Sequence, residues 1–163
     1  MAAAKKDAFE RYRVRVKGTN ISEQTLLATD YLNHFNEIVM LMEMVPDIPE
    51  CFEDAREWAP KSYPQHFIDS GFTDGELAVE AYQHVPACYR RPFDDTVETM
   101  NGLVSATLER IESSIASGDE AATRSTVDAF STDMHKLIET ASAIINGRAG
   151  SLEQDQIDSL LDG

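Results

Sequence analysis

Apolar side chains recur along most of this chain at helical spacing. From Ser22 to Val45, Leu27, Tyr31, His34, Ile38, Leu41 and Val45 fall on one helix face, and Leu32, Phe35, Val39 and Met42 widen it. A helix this apolar is expected at the centre of a domain, and Pro46 and Pro49 end it. Two longer patterns follow. Phe93, Val97, Met100, Val104, Leu108, Ile111 and Ile115 form a seam from Phe93 to Ala116. Val127, Phe130, Met134, Leu137, Ala141 and Ile144 form another between Glu120 and Asn146. The second seam alternates steps of three and four residues, as in a coiled coil. Ser117, Gly118 and Asp119 alone separate the two, and Ser117 with Glu120 has capping-box spacing. So short a connection between matching seams predicts an antiparallel hairpin.

The remaining segments are shorter. RYRVRVK within residues 5–17 alternates charged and apolar residues, which suits a short strand or an extended arm, and Gly18 and Asn20 break it. Residues 50–58 suit a short helix. APKSYPQHFIDSGFTDG looks like a loop, pinned to the core by Trp58, Tyr63, Phe67 and Phe72. Thr73 and Glu76 have capping-box spacing and open a helix to about His84, while Pro86 and Pro92 bound a short segment. The last stretch, SLEQDQIDSLLDG, is an amphipathic helix flanked by Gly147 and Gly150. Ser151 is its N-cap, Gln154 stands three residues later, and Ile157, Leu160 and Leu161 share one face. The expected fold is all-α: an antiparallel helical bundle of four or five helices, with a long C-terminal helical hairpin and a short amphipathic tail helix. Residues 1–20 would be a basic N-terminal arm, 21–146 the bundle, and 147–163 a linker and tail.

Composition narrows the function classes. At 163 residues and 42% hydrophobic content the chain can bury a core without staples. A net charge of −15 argues against binding nucleic acid or an anionic membrane surface. Lys5, Lys6, Arg11, Arg13, Arg15 and Lys17 are the exception, set against Asp7 and Glu10. Such a segment either folds back on the acidic body, meets an acidic partner, or stays solvated. Cys51 and Cys88 have no zinc or redox spacing, which suits a reduced cytoplasmic protein. MAAAKKDAFERYR lacks the apolar run of a secretory leader, and no window is apolar enough to span a bilayer.

The tail resembles the C-terminal helix of the CheZ phosphatases and the N-terminal segment of the FliM flagellar switch proteins. The likeness is carried by Gln154, Ile157, Asp158, Leu160 and Leu161, and on the FliM-like pattern also by Leu152 and Gly163. Both families dock this helix on the response regulator CheY. The resemblance therefore implies a regulatory protein of chemotaxis or two-component signalling, with a CheY-like receiver as partner. It makes Leu152, Gln154, Ile157, Asp158, Leu160 and Leu161 the partner-binding residues. The alternative for this stretch is a final helix that packs on its own domain.

A receiver phosphatase would need a side-chain amide to orient the attacking water. CheZ-type enzymes carry it four residues after an acidic residue, and no Asp or Glu here is followed at that spacing by Gln or Asn. The CheC and CheX phosphatases use Glu-x-x-Asn. Glu98 and Asn101 match that pattern, with Asp94 four residues before Glu98. Those families have an α/β fold, whereas this chain is expected to be helical. Asn33, Asn36 and Glu37 form a second polar cluster beside an apolar stripe. For both clusters the competing account is ordinary exposed polar residues. P-loop, dinucleotide, HExxH and nucleophile-elbow motifs are absent. His34/Glu37, Glu80/His84 and His135/Glu139 are one-face pairs, but the chain has no Glu-x-x-His motif of a di-iron bundle. His135, followed by Lys136, sits in MHKLIETAS without the glycine usual in histidine phosphotransfer bundles. No cofactor is expected on this chain; Mg2+ would sit on a partner receiver. An uncovered hairpin seam would favour a homodimer, and one covered by the other helices would not.

Overall fold

The computed structural model describes residues 2–147, all assigned here to α-helices, one 3-10 turn and connecting segments. The helices are α1 (Ala2–Arg15), α2 (Asn33–Met44), α3 (Cys51–Glu57), α4 (Tyr63–Ser70), α5 (Gly75–Tyr82), α6 (Ala87–Ala116) and α7 (Glu120–Ile145), with the 3-10 turn at Thr29–Leu32 before α2. The all-α class and the long hairpin are thus as expected. α6 and α7 pack along their length, α2 with the 3-10 turn crosses α7, and α3 to α5 close one side. Phe35, Ile38, Met42, Phe93, Met100, Phe130 and Met134 meet at the centre, each essentially without solvent exposure.

The hairpin seam on α6 is rotated by about one residue from the expected one. Phe93, Thr96, Met100, Val104, Thr107, Ile111 and Ser114 are buried, while Val97 and Leu108 are half-buried and Ile115 is exposed. Small hydroxyl residues allow close approach near the turn. There the Ser114 and Thr123 hydroxyls are hydrogen-bonded at 2.5 Å, satisfying two buried polar groups together. Counting apolar residues alone could not show this register.

Five further expectations are corrected. RYRVRVK is not extended: Arg11–Arg15 form the end of α1 and Val16 and Lys17 the turn after it, with Ala8 and Val16 buried and Phe9 and Tyr12 packed on the core. That spacing is also helical, and among the described residues no sheet edge stands beside it to pair with a strand. The single helix expected from Ser22 breaks into a loop, the 3-10 turn and α2. Ser22 Oγ accepts the amides of Gln24 and Thr25, Leu26 adopts φ 65°, and Ile21 pairs with Ala28 in an isolated bridge. Serine and threonine side chains here compete with helical backbone bonding. The break also buries Thr25, Leu26, Leu27 and Ala28 consecutively, which one helix face could not do. The expected loop after Trp58 contains α4, whose N-cap Ser62 accepts the Gln65 amide and which ends at left-handed Gly71. Both later capping boxes are displaced, the first by one residue and the second by two. Asp74 and Asp119 are the N-caps of α5 and α7, and only Asp119 makes the side-chain bond, accepting from Ala122.

Pro92 lies inside α6 rather than before it. It falls in the second turn, where the missing N–H costs one bond, to Cys88 of the first turn. The helix therefore starts at Ala87, and this added turn and a half brings Arg90 beside Tyr82.

Candidate functional site

One cleft gathers residues from four elements. α6 contributes Phe93, Asp94, Val97, Glu98 and Asn101 along one face; Tyr31 comes from the 3-10 turn, Tyr63 from α4 and Tyr82 from α5. Pro60, Lys61 and Ser62 form the rim. The cavity is about 310 Å³. A groove of about 520 Å³ between α4 and α5 is larger, but its walls are mainly Phe67, Ile68, Phe72 and Val79, with Glu76 and Glu80 as its charged groups. The smaller cleft is the better candidate because it holds polar groups that the fold leaves uncommitted.

Its walls are aromatic and fixed. Tyr63 stacks on Tyr82 at 4.6 Å between ring centres, and Tyr31 packs against Tyr63 and Phe93 at 5.3 and 5.8 Å. The Tyr31 hydroxyl donates to the Lys61 carbonyl at 2.6 Å, and the Tyr63 hydroxyl accepts the Ala28 amide at 2.8 Å. Burial pushes both phenols well above the usual tyrosine range, and that of Tyr82 upward too, reinforced by Asp94. At neutral pH these rings are uncharged walls rather than bases.

The charged groups divide into committed and uncommitted ones. Arg90 lies 3.8 Å over the Tyr82 ring, donates to Asp94 Oδ2 at 3.0 Å and reaches the Tyr82 carbonyl. Lys61 pairs with Asp69 at 3.1 Å. Glu98 carries no ion pair among the described residues, and Asn101 Oδ1 is buried without a hydrogen-bond partner. Glu98 and Asn101 Oδ1 are thus the polar groups of the cleft that make no bond to other described residues. Glu98 and Asn101 stand one turn apart on the same helix face, so the cleft presents a carboxylate and an amide together.

Of the other sequence candidates, Asn33, Asn36 and Glu37 are exposed on the outer side of α2 and do not line this cleft. His34 is a buried core-edge residue. Its Nε2 is 2.8 Å from the Ala59 carbonyl, and its ring stacks on Trp58 at 4.5 Å. His135 sits on the exposed side of α7, 3.5 Å from Glu43. Among the described residues no three His, Cys, Asp or Glu side chains are placed to hold a metal ion. Likewise, no described helix is long and apolar enough to cross a membrane. Leu152, Gln154, Ile157, Asp158, Leu160 and Leu161 lie outside the described residues.

Tyr31, Tyr82 and Lys61 were not expected as site residues. The aromatic density around 58–72 signalled packing, and nothing in sequence spacing brings Tyr82 to Asn101. Comparison of the chain with known families, with curated proteins and with solved structures finds no match.

Proposed function

We propose that this protein is a regulatory protein of chemotaxis or two-component signalling that binds a CheY-like receiver through its C-terminal helix. The observation that carries the reading is the tail pattern of Gln154, Ile157, Asp158, Leu160 and Leu161. The bundle supports it indirectly. Among the described residues the core extends through Ile144 and Ile145 to the end of α7, and the tail pattern follows it in the sequence. Helix-in-groove docking would bury Ile157, Leu160 and Leu161 at about 1.5–3 kcal/mol each. Ordering the segment subtracts about 2–5 kcal/mol. The balance is at most about 7 kcal/mol, against about 8 kcal/mol for 1 μM, so these three anchors by themselves predict a complex weaker than micromolar.

The test is titration of a CheY-like receiver, with and without a phosphoryl mimic, against three proteins. These are the full chain, the Leu160→Ala/Leu161→Ala variant and a chain ending at Gly150. Binding that disappears in both altered proteins supports the reading; equal binding by all three removes it.

A second reading, hydrolysis of the receiver's aspartyl phosphate, is favoured by the meeting of Glu98 and Asn101 in one cleft. The Asn101 amide would orient the attacking water, and Glu98 would hold the amide or the water in line. The tail would raise the local concentration of receiver at the cleft. Asn101→Ala and Glu98→Ala should then abolish stimulated dephosphorylation, while Asn33→Ala leaves it unchanged. Full activity in Asn101→Ala ends this second reading.

A further inference from the structure

A second cavity, of about 440 Å³, lies between α1 and the start of α6 and has a charge opposite to that of the protein as a whole. Lys5 and Lys6 stand on one wall with Phe9, and His84, Val85, Pro86 and Arg90 form the other. α1 is held there by Tyr12, stacked on His84 at 4.6 Å, and by the Arg15–Glu80 ion pair at 3.1 Å. Arg56, Lys61, Arg90 and Arg124 each carry an ion pair. Lys5 and Lys6 pair with no carboxylate among the described residues. α6 begins beside them after Pro86, and no side chain caps its first turn. Two lysines and the positive end of a 30-residue helix therefore face one partly apolar cavity, on a chain of net charge −15.

The hairpin brings Gly147, after which an acidic segment follows in the sequence, to this end. α6 rises about 45 Å and the antiparallel α7 about 39 Å, so the last turn of α7 is level with the second turn of α6. Gly147 follows directly, closely packed on Gln24. The 16 residues beyond it could reach about 50 Å when extended. They include Glu153, Asp155, Asp158 and Asp162 against one basic residue, Arg148, with Ile157, Leu160 and Leu161 between the acids.

We infer that the basic cavity between α1 and α6 is a docking surface for the chain's own acidic segment 151–163. Lys5 and Lys6 would meet the carboxylates, and Phe9 and Val85 the leucines. Tethering supplies a millimolar effective concentration, so a contact of only millimolar intrinsic affinity is about half populated. The contact stands independently of the proposed function. Its regulatory consequence, that a docked tail is withheld from a receiver, rests on that function.

Cys88, exposed in the first turn of α6, supplies a native probe position at the cavity. A nitroxide is placed there in the full chain carrying Cys51→Ser, and tail amide signals are compared with the label oxidised and reduced. The expected result is a loss of about half or more of the intensity for residues 152–161. That loss should be relieved in Lys5→Glu/Lys6→Glu and reduced in 0.5 M salt, because exposed charges are then screened. Full tail intensity in the unmodified sequence overturns the inference, as does equal broadening in the charge-reversed variant. Unchanged Tyr12 and His84 signals show that the reversal leaves α1 in place; if they move, Lys5→Gln/Lys6→Gln replaces it under the same two criteria. A receiver titration on the same samples separates the two proposals. Broadening without receiver binding keeps this contact and removes the proposed function. Receiver binding without broadening does the reverse. If both hold, the charge-reversed variant should bind the receiver about two-fold more tightly, because the competent fraction rises from half to nearly all.

Discussion

Replacing Asn101 with leucine should make this protein more stable, which is the uncommon direction for a substitution at a partly buried position. The perturbation removes a side-chain amide whose Oδ1 is buried without a partner and substitutes an apolar group of similar volume. An unsatisfied buried polar group costs about 1–3 kcal/mol, and that penalty is relieved. Leucine is also the better helix former by a few tenths of a kcal/mol in the interior of α6. The new side chain would lie beside Val97 and Phe93 in the cleft wall. The net expectation is about 1–2 kcal/mol of stabilisation. For a chain of this size that raises Tm by roughly 2–8 °C. Urea unfolding followed by helical circular dichroism measures it directly, and the denaturant slope should not change. Asn36→Leu on the exposed side of α2 is the control and should gain only about 0.5 kcal/mol, from propensity alone. A loss of stability in Asn101→Leu would mean that the amide is satisfied in the folded protein. The cleft would then keep no orphan acceptor and nothing would distinguish it from ordinary helix surface. Stabilisation accompanied by lost activity would be the usual trade between stability and function.

Tyr63→Phe should destabilise by about 1–3 kcal/mol, because it strands the buried Ala28 amide that the hydroxyl accepts; a midpoint within about 0.3 kcal/mol of the parent would contradict this. Gly75→Ala should cost about 1–3 kcal/mol in the same assay, since its Cβ would stand 2.9 Å from the Phe67 carbonyl oxygen, a backbone atom that cannot turn away. Stability should decline as pH falls below about 6.5. Burial holds His34 and His66 below the ordinary histidine pKa, with Lys61 adding to the effect and the Ala59 and Asp30 carbonyls, Glu37 and Asp69 opposing it. The unfolded chain therefore takes up protons first, and unfolding is favoured until the folded histidines also titrate. Urea midpoints at pH 7.5 and 5.5 measure the decline, and His66→Gln should make it shallower.

Much of the fold is written locally. The apolar seams of α6 and α7, joined by a connection too short for anything but an antiparallel turn, specify the hairpin before any packing is considered. The aromatic residues from Trp58 to Phe72 likewise announce that their segment is anchored. What they do not announce is α4, although Ser62, Pro64 and Gly71 are its start and stop signals. Pro64 serves both ways, since proline suits the first turn of a helix and breaks one anywhere later.

Glu98 and Asn101 were visible as a pair because i and i+3 share a helix face wherever the helix goes. That they open onto a cleft, and Asn33 and Asn36 do not, depends on which side of α6 the rings of Tyr31, Tyr63 and Tyr82 occupy. Those tyrosines come from three elements far apart in the chain, and no periodicity relates them. The same holds for the register of the hairpin, set by Ser114 and Thr123 closing on each other, and for the break at Leu26, set by burying four successive side chains. Local spacing thus determined helix, hairpin and the acidic tail pattern, because each depends on neighbours within a turn or two. Only tertiary packing decided which polar groups were left without partners, because satisfaction of a buried group depends on what long-range folding brings beside it.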